Sequence, residues 1–330
     1  MPSAHAQLKE MKKSLSSKLE GLLLVDKPVG PTSHDIVQLV KEALDVEKAG
    51  HLGTLDPSAS GLVVVGLNDA VKAVQFLVEL DKEYIGEMTL GIETDTQDAE
   101  GKITFRSDIS ALSEEEIKKA FSAFVGTITQ TPPLYSAVKK GGVRMYKLAR
   151  KGVIATPPTR QVTVKELEIL SIALPKVSFR ALVSSGTYIR SLASDIGREV
   201  GVGAHLSSLR RTKVGGFDVK DAIPAEDLKV GPGKRRAMGA VISLRTALAD
   251  FPEIRVKGET AWKVLHGGGI SEGDIQGGEA MVEDTSVKTA KVIDDYGRVI
   301  AIMERVHYPV ESSSKKVLWR PLRVWTRGNK

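Results

Sequence analysis

The sequence predicts an α+β fold, because strand-like and helix-like segments mix along the chain without strict alternation. Residues 21–25 and 62–67 are continuous apolar runs, which are typical of buried strands. Residues 84–90 alternate well enough to be a further strand. No segment recurs at the spacing of solenoid or propeller repeats. An α+β domain is therefore favoured over a doubly wound parallel sheet.

Helices are indicated by capping residues and by apolar side chains at helical spacing. Ser33 is expected to cap a helix whose apolar positions reach Leu44. Ser113 precedes three glutamates and is expected to open a second helix, since carboxylates stabilise the positive end of a helix. Two further helices are expected, one over residues 189–196 and one over residues 205–211.

The chain length of 330 residues predicts about two domains. We expect a disordered basic tail at 1–20, a mixed domain at 21–249, a small strand-rich domain at 250–312 and a basic tail at 313–330. An insertion at about 130–160 interrupts the first domain. Prolines at 132 and 133 exclude a regular helix there, and a short basic helix is expected at 143–151.

The charge distribution indicates a polyanionic partner. The net charge is +6, and residues 117–165 contain no Asp or Glu. The cations of this stretch are Lys118, Lys119, Lys139, Lys140, Arg144, Lys147, Arg150, Lys151, Arg160 and Lys165. Such a stretch suits nucleic acid, because each phosphate contact releases counterions. A solvated lysine face, common in soluble proteins, is the alternative.

Several classes of protein are excluded by composition. The chain has no cysteine, which rules out disulfides and thiol catalysis, and its six histidines show no metal-ligand spacing. No apolar run approaches the roughly 20 residues that cross a bilayer. The first 20 residues lack the apolar core of a signal peptide. A cytoplasmic protein without a metal is expected.

The segment at residues 50–57 holds the strongest candidate for chemistry. It places His51 and Asp56 on a glycine-rich loop directly before a buried strand. Pro57 biases Asp56 towards an extended backbone, and Gly61 allows another backbone to come close. By itself the pattern is more typical of a turn, since Asp accepts hydrogen bonds from nearby amides. A lone histidine is likewise more often a loop or core residue.

Seven segments in order along the chain resemble the TruB-type pseudouridine synthases. They are residues 25–28, 50–57, 82–84, 94–98, 132–137, 186–190 and 203–211. The resemblance implies the pseudouridine synthase fold, a large mixed and mainly antiparallel sheet flanked by helices, with the active-site cleft across the sheet. It also implies a small β-rich, PUA-like RNA-binding domain at about 250–312, where the match is looser.

The resemblance also implies roles for individual residues. Asp56 would be a covalent nucleophile, since a carboxylate can both attack and leave. Arg190 would hold and aim it, because a guanidinium pairs well with a carboxylate. Tyr84 would stack on the target uracil and could also accept a proton later in the reaction. Tyr188 and Leu209 would line the pocket that receives the uracil. His51 would fill the space that the uracil leaves in the RNA stack. Lys27 near the cleft and Lys139 and Arg144 on the insertion, which resembles an RNA-gripping thumb, complete the substrate-binding set.

The implied activity is conversion of uridine 55 in the T-loop of tRNA to pseudouridine, without a cofactor. The enzyme is expected to be a monomer that binds the T-arm and needs no protein partner. Two alternatives stay open: a guide-RNA-dependent synthase of the dyskerin type, and a non-catalytic tRNA chaperone or RNA-binding protein. A glycoside hydrolase is disfavoured, because no second acid is evident across the bond.

Overall fold

The computed structural model describes residues 19–136, 138–145, 157–271, 274–275, 286–306 and 317–325. Its strands are β1 Gly21–Lys27, β2 Ala49–His51, β3 Ser60–Leu67, β4 Lys82–Leu90, β5 Ile92–Thr94, β6 Ile103–Arg106, β7 Gly126–Gln130, β8 Lys139–Lys140, β9 Val143–Arg144, β10 Arg160–Ala173, β11 Lys176–Val183, β12 Ala204–Val214, β13 Phe217–Asp218, β14 Ile223–Pro224, β15 Glu253–Arg255, β16 Ile270–Ser271, β17 Thr289–Ile293, β18 Val299–Arg305 and β19 Val317–Val324.

The α-helices are α1 Ser33–Leu44, α2 Val74–Leu77, α3 Glu114–Ala123, α4 Ile189–Glu199, α5 Gly231–Gly239, α6 Leu244–Ala247 and α7 Gly258–Leu265. Ser113 caps α3 as expected, and its hydroxyl accepts from the Glu116 amide in a capping box. The cap of α1 is Thr32 and not Ser33, because Thr32 and Asp35 form the reciprocal capping box there. Ser33 is therefore available for another contact, described below.

A large mixed sheet forms the body of the molecule. Among the described residues its order is β14-β1-β3-β12-β4-β11-β10-β7, with β2 paired to β3 and β13 paired to β12. Only the pairs β1–β14 and β12–β3 are parallel. The predicted fold class is confirmed by this mainly antiparallel sheet with helices packed against it.

The apolar runs of β1 and β3 arise because both faces of the sheet are covered. Leu23 and Val25 point into a core shared with α1, α3 and α4, whereas Leu22 and Leu24 point into a second core on the opposite face. Alternate residues of a strand face opposite sides, so a strand buried on both sides reads as a continuous apolar run.

The expected helix at 205–211 is wrong: these residues lie in strand β12, at the centre of the sheet between β3 and β4. The strand contains Arg210, Arg211 and Thr212, which gave no apolar alternation to read. Arg211 is buried because backbone carbonyls satisfy its guanidinium. Each of its three nitrogens therefore donates one hydrogen bond, which offsets the cost of burying the cation.

A smaller sheet forms the C-terminal β domain, in the order β15-β17-β18-β19-β16. The basic tail expected at 313–330 is wrong for residues 317–325, because β19 pairs with both β18 and β16. Trp319 and Trp325 are buried while Arg320 and Arg323 face solvent. This alternation is that of a half-buried strand.

The C-terminal β domain packs on the large sheet. Ile293, Val299 and Ile302 join the second core beside Leu22 and Leu24. The indole N–H of Trp325 donates to the Asp69 carbonyl at 3.0 Å, which ties the end of β19 to the segment after β3.

The insertion begins with irregular backbone at 131–136, as its prolines require, and continues as the hairpin of β8 and β9. The expected helix at 143–151 is wrong at residues 143–144, which form β9. Residues 146–151, like the expected disordered tail up to residue 18, lie outside the described residues.

Candidate active site

The Asp56 loop, residues 52–59, joins β2 to β3, and side chains from α1 and β12 hold its first half. Ser33 on α1 accepts the Leu55 amide at 2.7 Å and donates to the Leu55 carbonyl at 3.0 Å. Arg211 on β12 donates to the carbonyls of Gly53 and Thr54, each at 3.2 Å. These contacts fix residues 53–55, directly before Asp56.

Gly61 is where the loop meets the sheet, and it must be glycine. Its φ is +106°, and a Cβ there would lie 2.3 Å from the Arg211 carbonyl oxygen. The parallel pairing of β3 with β12 puts these two backbones side by side. The expected close backbone approach at Gly61 therefore exists, and it brings Arg211 against the Asp56 loop.

Asp56 and Arg190 form an ion pair at the centre of the site. Nε of Arg190 lies 2.9 Å from Oδ2 of Asp56, with the arginine side chain 6% exposed and the carboxylate 36% exposed. The Nε–H is not directed at that oxygen and has no aligned hydrogen bond. The Arg190 guanidinium is thus buried, while the Asp56 carboxylate stays accessible to a ligand.

Other contacts determine the position of the Arg190 guanidinium. Arg190 begins the first turn of α4, and its terminal nitrogens donate to the carbonyls of Thr96 at 3.1 Å and Tyr135 at 3.2 Å. Nη1 also lies 3.7 Å from Oδ2 of Asp98, which is itself 8% exposed. The guanidinium therefore connects Asp56 to a second, buried carboxylate and to the base of the insertion.

A cavity of about 960 Å³ opens beside this pair. Its described lining comes from the Asp56 loop, the start of α1, strands β4 and β12, and the segment from β11 into α4. Among these lining residues, Asp56 is the only carboxylate. The volume is ample for one nucleoside and its neighbouring phosphates.

The structure brings six of the predicted site residues together as lining of this cavity. They are Asp56, Arg190, Tyr84, His51, Tyr188 and Leu209. Tyr84 on β4 and Leu209 on β12 come from neighbouring strands. Tyr188 caps α4, and Gln130 holds it by accepting from its amide at 2.8 Å and donating to its carbonyl at 3.0 Å.

His51 faces the cavity as a neutral ring. The Gly53 amide donates to its Nδ1 at 3.2 Å, which leaves the proton on Nε2. Burial, followed by the positive charges of Arg211 and His34, lowers the pKa of His51 below its ordinary value. The ring therefore presents an uncharged aromatic surface at neutral pH.

Lys27 does not line the cavity. It is fully buried, and its Nζ donates to the carbonyls of Pro28 and Pro31, each at 2.9 Å, and of Pro57 at 3.4 Å. Burial is the main cause that lowers its pKa to about 8. Lys27 thus clamps the turn after β1 to the Asp56 loop.

The other two candidates, Lys139 and Arg144, are register partners across the β8–β9 hairpin of the insertion. The hairpin follows residues 131–136 in the chain, and Tyr135 and Ser136 of that segment are part of the cavity lining.

Four residues of the site were missed: Lys82, Asp98, Arg160 and Arg211. Lys82 precedes Tyr84 on β4 and Arg211 follows Leu209 on β12, in each case two positions away, so the period of a strand carries them to the same face. The two-residue period could be recognised in the sequence of β4, which alternates. It could not be recognised in β12, whose sequence was interpreted as a helix.

No group of three or more His, Asp or Glu side chains is placed to hold a metal ion in the part of the chain that the structure describes. Within the same ranges no helix is long and apolar enough to span a membrane.

Comparison with known proteins identifies the family. The sequence profile of the TruB family pseudouridylate synthase N-terminal domain matches residues 41–189. The profile of the tRNA pseudouridylate synthase B C-terminal domain matches residues 190–253. The chain belongs to the TruB family of pseudouridine synthases. The family resemblance of the sequence is thereby confirmed.

Individual relatives support the assignment over most of the chain. The tRNA pseudouridine synthase B of Syntrophus aciditrophicus is 44% identical over 249 residues, which cover 76% of this chain and 80% of the relative. The protein of the same name from Saccharophagus degradans is 37% identical over 291 residues, covering 84% and 93%.

Solved structures extend the similarity to the C-terminal β domain. A chain of a Cbf5-Nop10-Gar1 complex matches with a TM-score of 0.70 at 29% identity, covering 95% of this chain and 86% of that chain. A chain of an H/ACA RNP bound to a substrate RNA containing 2'-deoxyuridine matches with a TM-score of 0.68 at 26% identity, covering 96% and 86%.

Proposed function

We propose that this TruB family member isomerises uridine 55 in the T-loop of tRNA to pseudouridine, with Asp56 as the nucleophile. The observation that carries the proposal is the Asp56–Arg190 pair, in which the one carboxylate among the described lining residues meets a buried guanidinium. The names of the relatives, tRNA pseudouridine synthase B, support tRNA as the substrate.

The reaction breaks the bond between ribose C1′ and uracil N1 and forms one between C1′ and C5. The proton on C5 is released, and N1 ends with a proton. A carboxylate suits this exchange, because it can attack and later leave, which divides one difficult step into two easier ones. Arg190 keeps the carboxylate in place and does not close the cavity above it, since Asp56 remains 36% exposed.

The target uridine must leave its stack, because the enzyme reaches C1′ and C5 only outside the folded RNA. Flipping costs a few kcal/mol, and stacking on an aromatic surface returns about 1–3 kcal/mol per base. Tyr84, Tyr188 and Leu209 supply the apolar and aromatic surface within the cavity. The neutral ring of His51 is suited to stack in the space that the base vacates.

The rest of the molecule would hold the T-arm. The insertion, with Lys139 and Arg144, would act as a thumb on the RNA backbone, and residues 250–312 would act as a PUA-like RNA-binding domain. Lys27 would act on substrate binding through the loop that it clamps. The enzyme would work as a cytoplasmic monomer without a cofactor or an obligatory protein partner.

The test is release of tritium from uracil C5 of an unmodified tRNA transcript, with no guide RNA present. Wild-type protein is compared with Asp56→Asn, and the uridine substrate with a transcript carrying cytidine at position 55. Release by wild type alone, and only from the uridine substrate, supports the proposal. Release by Asp56→Asn at the wild-type rate would exclude the nucleophile assignment.

Guide-dependent modification is the second candidate, because two of the matched structures belong to a Cbf5-Nop10-Gar1 complex and an H/ACA RNP. Tritium release only after a guide RNA is added would favour it. Tight tRNA binding without release under either condition would favour a non-catalytic RNA-binding protein. The presence of both Asp56 and Arg190, paired in the cavity, argues against that third candidate.

A further inference from the structure

The cavity carries more positive charge than its carboxylate balances. Its described lining includes the cations Lys82, Arg160, Arg190 and Arg211 around Asp56. Arg190 pairs with Asp56, and among the described residues the other three have no carboxylate within ion-pair distance. Burying a cation without an anion is unfavourable. The excess charge therefore indicates that the cavity binds an anionic group.

Arg211 is committed to the protein. Its Nε donates to the Leu62 carbonyl at 2.7 Å, and its terminal nitrogens donate to the carbonyls of Gly53 and Thr54. Its role in holding the Asp56 loop leaves Lys82 and Arg160 as the cations available to a ligand.

Arg160 contacts the turn at residues 184–187 directly, and Lys82 is connected to it through a shared acceptor, the Val78 carbonyl. This turn closes with the Thr187 amide donating to the Ser184 carbonyl at 3.3 Å, and Gly186 has a φ of +85°. Nζ of Lys82 donates to the Val78 carbonyl at 2.6 Å, and the Ser185 hydroxyl donates to the same oxygen at 2.9 Å. The Arg160 guanidinium donates to the Gly186 carbonyl. The turn thus connects the two cations, and both line the same cavity.

Both cations retain donors that the protein does not use. Lys82 is 6% exposed and has one hydrogen bond within the described residues, so two of its three N–H groups stay open. Among the described residues, Nε of Arg160 is buried without a partner. The hydroxyl of Ser136, in the lining of the same cavity, is likewise buried without a partner among those residues. Buried donors without a partner in the protein are the groups that a ligand satisfies.

The Lys82 environment also favours a bound anion. Burial, with the positive charge of Arg211, lowers the pKa of Lys82 to about 8, although Glu79 and Asp81 act in the opposite direction. A neutral ligand group, such as a uracil carbonyl, would leave this charge uncompensated. A phosphate would compensate it, and lysine and arginine are its usual protein donors.

We propose that Lys82, Arg160 and the turn at 184–187 form a phosphate subsite, which holds a phosphodiester adjoining the uridine in the cavity. The inference rests on the proposed function, since it takes RNA as the ligand. Two observations connect the subsite to the base pocket. Lys82 is two residues from Tyr84 on β4, and the Arg160 guanidinium lies 4.7 Å from the ring centroid of Tyr188.

The experiment measures RNA binding in the Asp56→Asn background, so that no turnover occurs. Lys82→Met and Arg160→Gln are compared with Lys176→Met, whose lysine is exposed at the opposite end of the sheet and paired with Glu87. The RNA is a T-arm stem-loop, either unmodified or with a single uncharged methylphosphonate linkage on the 5′ or the 3′ side of the target uridine.

We expect Lys82→Met and Arg160→Gln each to weaken binding of the unmodified RNA about ten- to hundredfold, as for a lost charge-assisted hydrogen bond. Lys176→Met should change it by less than about threefold, as for an exposed ion pair. A methylphosphonate at one of the two linkages should weaken RNA binding by the Asp56→Asn protein by a similar factor. The same linkage should have little further effect on RNA binding by the Lys82→Met or Arg160→Gln variant. Lys82→Arg, which keeps the charge, should restore the response to that linkage.

The subsite is refuted if the methylphosphonate and the substitutions weaken binding independently, so that their factors multiply at both linkages. It is also refuted if the two substitutions couple to different linkages. Should Lys82→Met fail to fold, Arg160→Gln and Lys82→Arg provide the same comparison. Tritium release by wild type without any coupling would overturn the subsite alone, whereas coupling without release would overturn only the proposed activity.

Discussion

Replacing Ser33 with alanine tests whether the Asp56 loop must be held for catalysis. Ser33 is 2% exposed, and its hydroxyl both accepts the Leu55 amide and donates to the Leu55 carbonyl. Alanine removes both contacts at the residue next to Asp56. It leaves the fold of α1 unaffected, because the cap of that helix is Thr32.

The size of the effect follows from burial. Leu55 is 3% exposed, so its N–H and C=O have no access to bulk water once the hydroxyl is gone. Leaving a buried polar group unpaired costs about 1–3 kcal/mol. The loop lowers this penalty by shifting until the Leu55 N–H and C=O form hydrogen bonds with water. A shift of about 1 Å in a reacting group can lower the rate about a hundredfold. We therefore expect kcat of Ser33→Ala to fall about ten- to hundredfold.

The assay is single-turnover tritium release, with tRNA affinity measured separately. Ser113→Ala is the matched control, because it removes a helix cap of about 1 kcal/mol on α3 without contacting the cavity. Ser33→Ala should lose turnover and keep most of its affinity, whereas Ser113→Ala should lose only stability. Equal turnover for the two variants would refute the view that Ser33 positions Asp56.

Three further substitutions probe other parts of the site and the fold. Asp98→Asn should lower kcat with KM nearly unchanged, because Asp98 faces Arg190 and not the open cavity; an unchanged kcat in single-turnover assays would refute this. His51→Ala should reduce turnover less than Asp56→Asn does, since stacking contributes only about 1–3 kcal/mol, and a loss as complete as that of Asp56→Asn would contradict the stacking role. Trp325→Ala should detach the C-terminal β domain from the large sheet, since burying a large aromatic side chain contributes about 3–5 kcal/mol. Faster proteolysis between the two domains would support this, and an unchanged rate of proteolysis would oppose it.

The parts of the fold that the sequence predicted correctly are those in which burial alone determines the pattern. Strands β1 and β3 are covered on both faces, so residues 21–25 and 62–67 form continuous apolar runs that are easy to recognise. The start of helix α3 is recognisable in the sequence from the capping box at Ser113. In these segments local preference and tertiary environment favour the same structure, which makes prediction reliable.

Strand β12 was missed for the opposite reason. One side of it faces the cavity and the Asp56 loop, so its residues are chosen for contacts with polar groups. Leu209 lines the cavity and Arg211 is buried among carbonyls. A buried arginine looks the same in a sequence as an exposed one, because only the folded chain supplies the three carbonyls that satisfy it. Segment 317–325 was likewise misjudged. Its solvent-facing arginines suggested a basic tail, although Trp319 and Trp325 are buried.

Asp56 and Arg190 were predictable because family motifs mark them, whereas the residues that hold them in place were not. Ser33 was interpreted as a cap because serine is common in that role, and Lys27 was placed in the substrate-binding set on the family resemblance. In the structure both act on the backbone of the Asp56 loop, through contacts spanning 22 and 30 residues of sequence. Hydrogen bonds to backbone carbonyls and amides leave no complementary side chain to recognise. The proposed nucleophile is therefore marked by its motif, while its positioning depends on contacts that only the folded chain reveals.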